Sequence, residues 1–330
     1  MMASFEEKNM YSKSGHSSVL RDEILEYINP VDGGVYVDCT FGAGGHTRSL
    51  LEEADCQVIG VDRDPYVNIF VDKINRDYPN RFRFVKGRFS EITSLLSDLD
   101  VRNVDGMLFD LGVSSMQLET PRRGFSFSND GPLDMRMNDE EGISAEDVVN
   151  SYNESDLAGI IFKYGDERHS RRIASAIVAA RGNNPIRRTS ELAAIVKKAI
   201  GKRGDTIDPS TRTFQALRMY VNGELDELGL GLEAAEKLLT PGGKLCVISF
   251  HSGEDKIVKD FLKERSGKSE TFSRYQPVPE KMHYAPTFSL SVNKAIKPSD
   301  AEVARNVRSR SAKLRVATRT DAANWQRGRA

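Results

Sequence analysis

The feature that most constrains the fold of this chain lies in residues 35–46, where a short apolar run, a glycine-rich turn and the start of a helix follow one another. The apolar run ends in Asp38, and the glycines of the turn are Gly42, Gly44 and Gly45. Glycine allows the backbone to approach a ligand closely, and this strand–turn–helix arrangement is where α/β sheets bind nucleotide-like cofactors. Glycines also form ordinary turns, so the turn alone is a weak indicator.

Two carboxylates narrow the choice of cofactor. Asp38 stands four residues before the first glycine, and Asp62 ends a second apolar run, Gln57 to Val61, about 20 residues beyond the glycines. The spacing acidic-x-x-x-Gly-x-Gly-Gly fits S-adenosylmethionine (SAM) better than the Gly-x-Gly-x-x-Gly of dinucleotide sites, because SAM has no pyrophosphate. An acidic residue at the end of the second strand is where a ribose diol is held. The alternative for Asp62 is a turn aspartate before Pro65.

Length and composition predict a cytoplasmic protein of about two domains. With 330 residues, 39% of them hydrophobic and 29% charged, the chain can bury a core beneath a charged surface. No apolar run approaches the ~18 residues of a membrane helix, and the polar first 15 residues resemble neither a signal nor a transit peptide. We expect buried, reduced thiols, and neither a metal site nor disulfides, at the three widely spaced cysteines, Cys39, Cys56 and Cys246.

Charge is unevenly distributed along the chain, although the net charge is only −1. Residues 168–203 hold ten Lys and Arg against the single acid Glu191, and residues 297–330 hold nine against three acids. Such asymmetry indicates a polyanionic partner that docks on defined faces. The alternative is a pair of solvated helix faces.

Strand-like runs that alternate with helical segments predict a doubly wound, Rossmann-like α/β fold with a parallel sheet. After the first two, the predicted strands are Arg81–Lys86, Val104–Leu111 and Lys244–Phe250. The polar residues at their carboxyl ends are Asp38, Asp62, Asp110 and His251. The carboxyl edge of such a sheet carries the ligand crevice.

The distance between the fourth and fifth strands predicts a second domain. About 130 residues separate them, whereas a βαβ unit needs roughly 30 or somewhat more. We therefore expect an inserted helical domain at 116–208, with helices starting at Ser144 and Thr189, and a discontinuous domain formed by 1–115 and 209–330. Thr211 to Leu239 would supply crossover helices of the latter. Two final runs, Thr287–Val292 and Ala312–Thr318, predict an antiparallel hairpin that finishes the sheet.

Several polar segments are too unusual in composition to serve packing alone. They are Asp110–Gln117, Arg123–Met137, Ser249–Asp255 and Asn306–Arg315. Together with the glycine turn they resemble the RsmH/MraW family of SAM-dependent methyltransferases, which act on the N4 amine of a cytidine in 16S ribosomal RNA of the small subunit. The resemblance runs from His16 to about Thr320. The chain departs from the family pattern at Ser18, Gly253 and Val307, where proline, leucine and proline are usual.

The resemblance implies a set of cofactor contacts and a partner. Gly44, Gly45 and His46 would meet the methionine part of SAM, Asp62 the ribose and Phe89 the adenine. Asp110 and Gln117 would complete the pocket. Taken alone, Phe89 fits a core residue better. The implied partner is 16S ribosomal RNA or the small ribosomal subunit, and a homodimer stays open. A methyltransferase of another RNA or of a small molecule is the alternative.

The reaction itself suggests further residues. Methylation of cytosine C5 needs a cysteine nucleophile, typically in a Pro-Cys dipeptide, which this chain lacks. An amine needs only an acceptor that orients one N–H and takes a proton. Asp134 and His251 are the candidates, with an ion pair to Arg136 and a helix cap as their respective alternatives.

Two further groups of side chains could serve an RNA substrate. Phe125 and Phe127 could hold a splayed base by stacking, or at least one of them could anchor the loop. Phosphates could be gripped by cations of the insert, if the fold brings them onto one face: Arg171, Arg172, Arg187, Arg188, Lys197 and Lys198.

Overall fold

The computed structural model describes residues 18–201, 208–268 and 285–325. The chain divides into two compact units, one formed by residues 1–112 and 225–330 and the other by residues 113–224. His16 of the family-like segment, Lys202 and Arg203 of the basic stretch, and most of the proline-containing segment 266–286 lie outside the described residues.

The first unit contains a seven-stranded sheet within the described ranges. Its strands are β1 Val35–Asp38, β2 Gln57–Asp62, β3 Phe82–Lys86, β4 Val104–Asp110, β5 Leu239–Ser249, β6 Phe288–Leu290 and β7 Lys313–Arg319. The order is β3-β2-β1-β4-β5-β7-β6, with the first five parallel and β7 antiparallel to both neighbours. The predicted doubly wound sheet and its closing hairpin are confirmed.

Helices connect these strands and build the second unit. In chain order they are α1 Arg21–Ile28, α2 Gly45–Glu53, α3 Asn68–Asp77, α4 Ile92–Ser97, α5 Ser115–Glu119, α6 Ala145–Ser151, α7 Glu154–Gly165, α8 Ser170–Arg181, α9 Thr189–Ile200, α10 Thr211–Asn222, α11 Glu224–Leu238, α12 Ser252–Arg265 and α13 Asp300–Arg305. In the described ranges, no helix has both the length and the apolar character that a membrane span requires.

The core of the first unit lies on the central strands and the helices that cover them. Val37 of β1, Ile59 of β2 and Phe109 of β4 are fully buried and pack with Leu228 and Leu232 of α11. Strands covered on both faces read as nearly continuous apolar runs, which is why the sequence signal was clear there.

The start of β5 differs from the expectation. The sequence predicts that this strand starts at Lys244, but β5 begins at Leu239. The register to β4 shifts between Val104 and Gly106 at this point, so the proline and glycines form an irregularity inside the strand. Gly242 adopts a φ of 88° there.

The second unit is helical. Ser144 caps α6 reciprocally, since its Oγ accepts from Asp147 N (3.1 Å) and Ser144 N donates to Asp147 Oδ2 (2.8 Å). The helix predicted from Thr189 is α9. It ends at Ile200, and the next residue, Gly201, has a φ of 77°. Both starts are confirmed because local capping and stop signals encode them.

Helix α10 belongs to the second unit, although the sequence suggested a crossover helix of the first. Phe214 and Leu217 of α10 are buried in the same cluster as Leu157 and Ile161 of α7. The hydroxyl groups of Tyr220 in α10 and Tyr152 share a hydrogen bond (2.9 Å). The unit therefore extends to residue 224, where 208 was the expected limit.

Candidate active site

Three carboxylates lie side by side at the carboxyl edge of the sheet. Strands β2, β1 and β4 are adjacent, and they end at Asp62, Asp38 and Asp110 respectively. In register, Asp38 stands opposite Gly60 on one side and Leu108 on the other. The edge is the place where open α/β sheets bind ligands, so the first unit gathers its polar residues where the sequence predicted them.

The glycine turn leaves no room for side chains. Gly44 has a φ of 73°, and a Cβ there would lie 2.9 Å from the Phe41 ring and closer still to Ile74. A Cβ on Gly45 would collide with the Ser18 hydroxyl group. The turn thus brings bare backbone to the N-terminus of α2, which suits close approach of a cofactor.

Asp62 is fixed by the glycine turn and remains able to bind a diol. Its Oδ2 accepts from Gly42 N (2.8 Å) and its Oδ1 accepts from Asp64 N (2.9 Å). Burial, and then the neighbouring Asp64 carboxylate, raise the pKa of Asp62 to about 6. Each carboxylate oxygen has a second lone pair, so two ribose hydroxyl groups could still donate to it.

Asp38, by contrast, is an internal brace. It is 1% exposed, and its carboxylate accepts from Thr47 Oγ1 (2.8 Å) and Thr40 N (3.2 Å). Thr40 Oγ1 in turn accepts from Asp110 N (2.6 Å). The acidic residue of the sequence motif therefore holds β1, β4 and α2 in register and leaves the ligand contacts to its neighbours.

His46 and Asp110 form a buried pair with unused polar atoms. His46 Nε2 lies 3.5 Å from Asp110 Oδ2, and His46 is 5% exposed. In the described part of the chain, neither His46 Nδ1 nor Asp110 Oδ1 has a hydrogen-bond partner. Burial acts to lower the pKa of His46, but Asp110 and then Asp38 raise it above its usual value. Buried polar atoms without partners are rare, so a ligand is expected to satisfy them.

Phe89 lies in a short 3₁₀ turn, Phe89–Glu91, that follows β3 at the same edge. Its ring meets Phe109 edge-on at 5.5 Å, and a Cβ on Gly231 would lie 2.9 Å from it. The ring is only half-buried and partly lines the surface. Both roles weighed from the sequence, core packing and a place beside a ligand, are compatible with this position.

Glu227 of α11 supports the Phe89 turn, and sequence reasoning missed it. Its carboxylate accepts from Arg88 Nη1 (3.2 Å) and Ser90 N (3.4 Å), and lies 4.0 Å from Arg63 Nη1. Glu227 is 8% exposed. No local motif marks this residue, because it acts across 137 to 139 positions of sequence.

His251 caps helix α12. Its Nδ1 accepts from Gly253 N (3.0 Å), and Glu254 Oε2 accepts from the backbone N–H groups of Phe250 and His251 (3.0 and 3.1 Å). The capping alternative is therefore what the geometry shows. Because Nδ1 is an acceptor, the neutral ring carries its proton on Nε2 and presents a donor there.

Gln117 and Asp134 belong to the second unit. Gln117 is 5% exposed, and its Oε1 accepts from Ser114 N (3.0 Å) while its own N–H donates to Ser114 Oγ (3.3 Å). This capping box starts α5. Asp134 accepts from Arg136 Nε (3.0 Å) and Nη2 (2.7 Å), so the ion-pair alternative is also present.

The loop that carries Asp134 is strained and tightly held. Met135 is buried with a φ of 64°, a region that residues other than glycine rarely adopt. Arg123 Nη2 donates to the carbonyl groups of Arg136 (3.0 Å) and Met137 (2.8 Å). Backbone strain that is over-determined by its surroundings is typical of functional loops.

The stacking role considered for Phe125 and Phe127 is wrong for Phe125 and unsupported for Phe127. Phe125 is buried in the helical core and lies under the Arg123 guanidinium at 5.6 Å. Phe127 packs edge-on against Phe214 at 5.1 Å. Both rings anchor the loop, because burying apolar ring surface against the helical core is more favourable than exposing it to solvent.

A Rossmann-like sheet with a parallel main part, a glycine turn and a row of carboxylates at its carboxyl edge is the arrangement of a SAM-dependent methyltransferase. The model of the MraW methylase family matches residues 13–320, and the chain belongs to that family.

Curated relatives match nearly the whole chain. A protein of Paramagnetospirillum magneticum called ribosomal RNA small subunit methyltransferase H is 50% identical over 315 residues, which cover 96% of this chain and 99% of that protein. A protein of the same name from Ehrlichia chaffeensis is 47% identical over 303 residues, which cover 91% of this chain and 98% of that protein. Among solved structures, a SAM-dependent O-methyltransferase of Thermotoga maritima has a TM-score of 0.40 at 11% identity over 97% of this chain and 71% of that one, too remote a likeness to bear on function.

Proposed function

We propose that this protein transfers a methyl group from SAM to the N4 amine of a cytidine in 16S ribosomal RNA of the small subunit, in the cytoplasm. The observation that carries the proposal is near full-length identity of about 50% with proteins named for small-subunit ribosomal RNA methylation. The MraW membership implies the cytidine N4 position.

SAM, when bound, supplies a methyl group on a sulfonium centre that a nucleophile can displace in line. The chain's own contribution is positioning. Asp62 would hold the ribose hydroxyl groups, and the backbone of Gly44 and Gly45 would lie against the methionine part. The unpartnered atoms of His46 and Asp110 face the same edge and would take the remaining polar groups.

The state of the three thiols supports the N4 amine, and not ring carbon C5, as the methyl acceptor. Cys39, Cys56 and Cys246 are buried and form no disulfide. Burial raises the pKa of all three, that of Cys246 to about 12, so a thiolate nucleophile is disfavoured at each. An N4 amine needs no covalent help from the enzyme.

The proton acceptor remains a choice between two residues whose sites differ. Asp134 is held in place by the Arg136 guanidinium, which orients its carboxylate. His251 already uses Nδ1 to cap α12 and could accept a proton there only by releasing the cap. We propose Asp134 as the acceptor that orients one N4–H, and His251 as a donor through Nε2.

The proposal is tested by offering SAM with a labelled methyl group together with three substrates. These are naked 16S ribosomal RNA, purified small subunits that lack the modification, and the small-molecule fraction of a cell extract. Label in the RNA or subunits supports the proposal and shows which of them is the substrate. Label only in small molecules would favour the alternative of a small-molecule methyltransferase.

A further inference from the structure

We propose that one end of the helical unit, here called the basic end, docks the ribosomal RNA substrate. The basic end comprises the last turns of α7 and α9, the first turns of α8 and α10, and the adjoining residues 166–169 and 208–210. The inference rests on the proposed function and deepens it, since it names the surface that holds the RNA.

Connectivity and hydrogen bonds bring these four helix ends together. Residues 166–169 link α7 directly to α8, so the end of one lies beside the start of the other. Arg212 Nη1 in the first turn of α10 donates to the carbonyl group of Asp166 (3.1 Å). Lys197 Nζ in the last turn of α9 lies 2.8 Å from Asp208 Oδ2, just before α10.

The basic end carries an excess of exposed positive charge. Its exposed cations are Lys163, Arg168, Arg171, Arg172, Lys197, Lys198 and Arg212, and its carboxylates are Asp166, Glu167 and Asp208. One of these carboxylates, Glu167, is fully buried, and Asp208 is already paired with Lys197. Within the described ranges, no carboxylate lies within 4.0 Å of the charged groups of Arg171, Arg172 or Lys198.

Two of these arginines lie at a helix N-terminus, where their charge is unfavourable to the helix dipole. Arg171 and Arg172 lie in the first turn of α8, which has no acidic residue and no side-chain cap. Cations near a helix N-terminus are unfavourable because the N-terminus already carries partial positive charge. Their charges therefore do not stabilise α8 through its dipole, whereas a phosphate backbone against this turn would offset the repulsion.

An aromatic ring lies exposed at the same end. Phe162, in the last turn of α7 next to Lys163, is 59% exposed. Ribosomal RNA offers unpaired bases that stack on aromatic rings, and base stacking interleaved with phosphate contacts is how proteins hold single strands. A small-molecule substrate would need neither the ring nor the surrounding charge.

Two cations of the basic stretch, Arg187 and Arg188, lie toward the opposite end of α8, and each is near a carboxylate. Arg188 Nε lies 2.6 Å from Asp130 Oδ2, and Arg187 Nε lies 3.9 Å from Glu146 Oε1. Helix α8 has 12 residues and therefore separates the two ends by about 18 Å. Of the six cations grouped from the sequence, Arg187, Arg188 and Lys197 thus lie near carboxylates, whereas Arg171, Arg172 and Lys198 have none within 4.0 Å in the described ranges.

This division provides a matched test. We would measure binding of labelled 16S ribosomal RNA by filter retention from 0.05 to 0.4 M KCl for wild type, Arg171→Ala/Arg172→Ala and Arg187→Ala/Arg188→Ala. Loss of two phosphate contacts should flatten the slope of log affinity against log salt by about 1.4 to 1.8 in the first variant. The second variant should run parallel to wild type. Thermal unfolding and SAM affinity, which should be unchanged, show that each variant is folded.

Two further measurements make the outcome decisive. Phe162→Ala should weaken RNA binding about fivefold or more without changing the salt slope. In methyl transfer, Arg171→Ala/Arg172→Ala should raise KM for RNA and leave kcat at saturating RNA unchanged. Equal slopes for the two double variants, with wild type still methylating the RNA, would overturn the docking surface alone. A wild type that neither binds nor methylates ribosomal RNA would overturn the proposed function instead.

Discussion

His46 Nε2 lies 3.5 Å from Asp110 Oδ2, and this pair is buried at the carboxyl edge of the sheet. The carboxylate keeps the pKa of the imidazole raised even though burial acts in the opposite direction. A histidine with a raised folded-state pKa stabilises the fold below its unfolded pKa of about 6.5, and that contribution is lost as the pH rises through the folded value.

The first prediction concerns this pair. In wild type, the ring protons of His46 should titrate above pH 6.5 by NMR. In Asp110→Asn the titration should move below 6.5, because burial then dominates. An unshifted His46 in Asp110→Asn would mean that the carboxylate does not control the charge of the ring.

The second prediction concerns Asp62 and pH. SAM affinity should fall as the pH drops through about 6, where the carboxylate takes up a proton. Asp62→Ala should lose about 1.5 to 3 kcal/mol for each lost hydrogen bond from the ribose. Calorimetric titration with SAM from pH 5 to 8 checks both, and unchanged affinity in the variant would remove the ribose role.

The contribution of Asp62 to the stability of the cofactor-free protein should have the opposite pH dependence to SAM affinity, being greatest at low pH. The folded pKa of Asp62, about 6, lies above its ordinary value of 3.8. The carboxyl group therefore favours the fold below pH 3.8, and this contribution is lost as the pH rises through 6. Asp62→Asn should accordingly raise Tm at pH 8 and converge with wild type by pH 4.

The third prediction tests the strained loop with two glycines of similar φ. Gly124 and Gly142 have φ values of 72° and 73°. A Cβ on Gly124 would collide with Pro132 O and lie 2.7 Å from Asp134 N, whereas nothing lies within 4 Å of one on Gly142. Gly142→Ala should therefore cost only about 1 kcal/mol for its backbone conformation.

Gly124→Ala should cost clearly more, by about 1 to 3 kcal/mol, and should lower kcat by displacing Asp134. Denaturant unfolding and methyl transfer, measured side by side, separate the two effects. Equal losses in the two variants would show that the loop tolerates displacement and that Asp134 is not held for the reaction.

The fourth prediction is that no thiol takes part in the reaction. Replacing Cys39, Cys56 and Cys246 together with Ala should lower stability through lost packing, by about 1 kcal/mol each, yet preserve methyl transfer at a permissive temperature. Native wild type should also resist alkylation by iodoacetamide until it unfolds, because all three thiols are buried. A folded triple variant without activity would contradict amine methylation.

The sequence predicted the sheet well because its signals are local. Apolar runs mark β1, β2 and β4, and the capping pattern at Ser144 marks a helix start. Helical periodicity in α10 shows that Phe214 and Leu217 are buried but not in which core. The predicted second unit therefore ended at residue 208, before α10, instead of at residue 224.

The site residues that belong to local sequence motifs were predictable. The glycine turn, Asp62 and Asp110 follow directly from strand ends, whereas Glu227 acts from a distant helix. Likewise, Arg171 and Arg187 look equivalent in a basic stretch, and only the direction of α8 separates them. Charge pairing depends on three-dimensional neighbours that spacing along the chain does not specify.

The most direct test of the account is the identity of the methylated nucleoside. Wild-type enzyme, labelled SAM and 16S ribosomal RNA in small subunits lacking the modification are incubated, and the RNA is digested to nucleosides and resolved by chromatography with mass detection. Label should appear in N4-methylcytidine, should fall strongly in Asp62→Ala at a SAM concentration near the wild-type Kd, and should be retained in the triple cysteine variant. Label in 5-methylcytidine, or in no ribosomal RNA nucleoside, would contradict it.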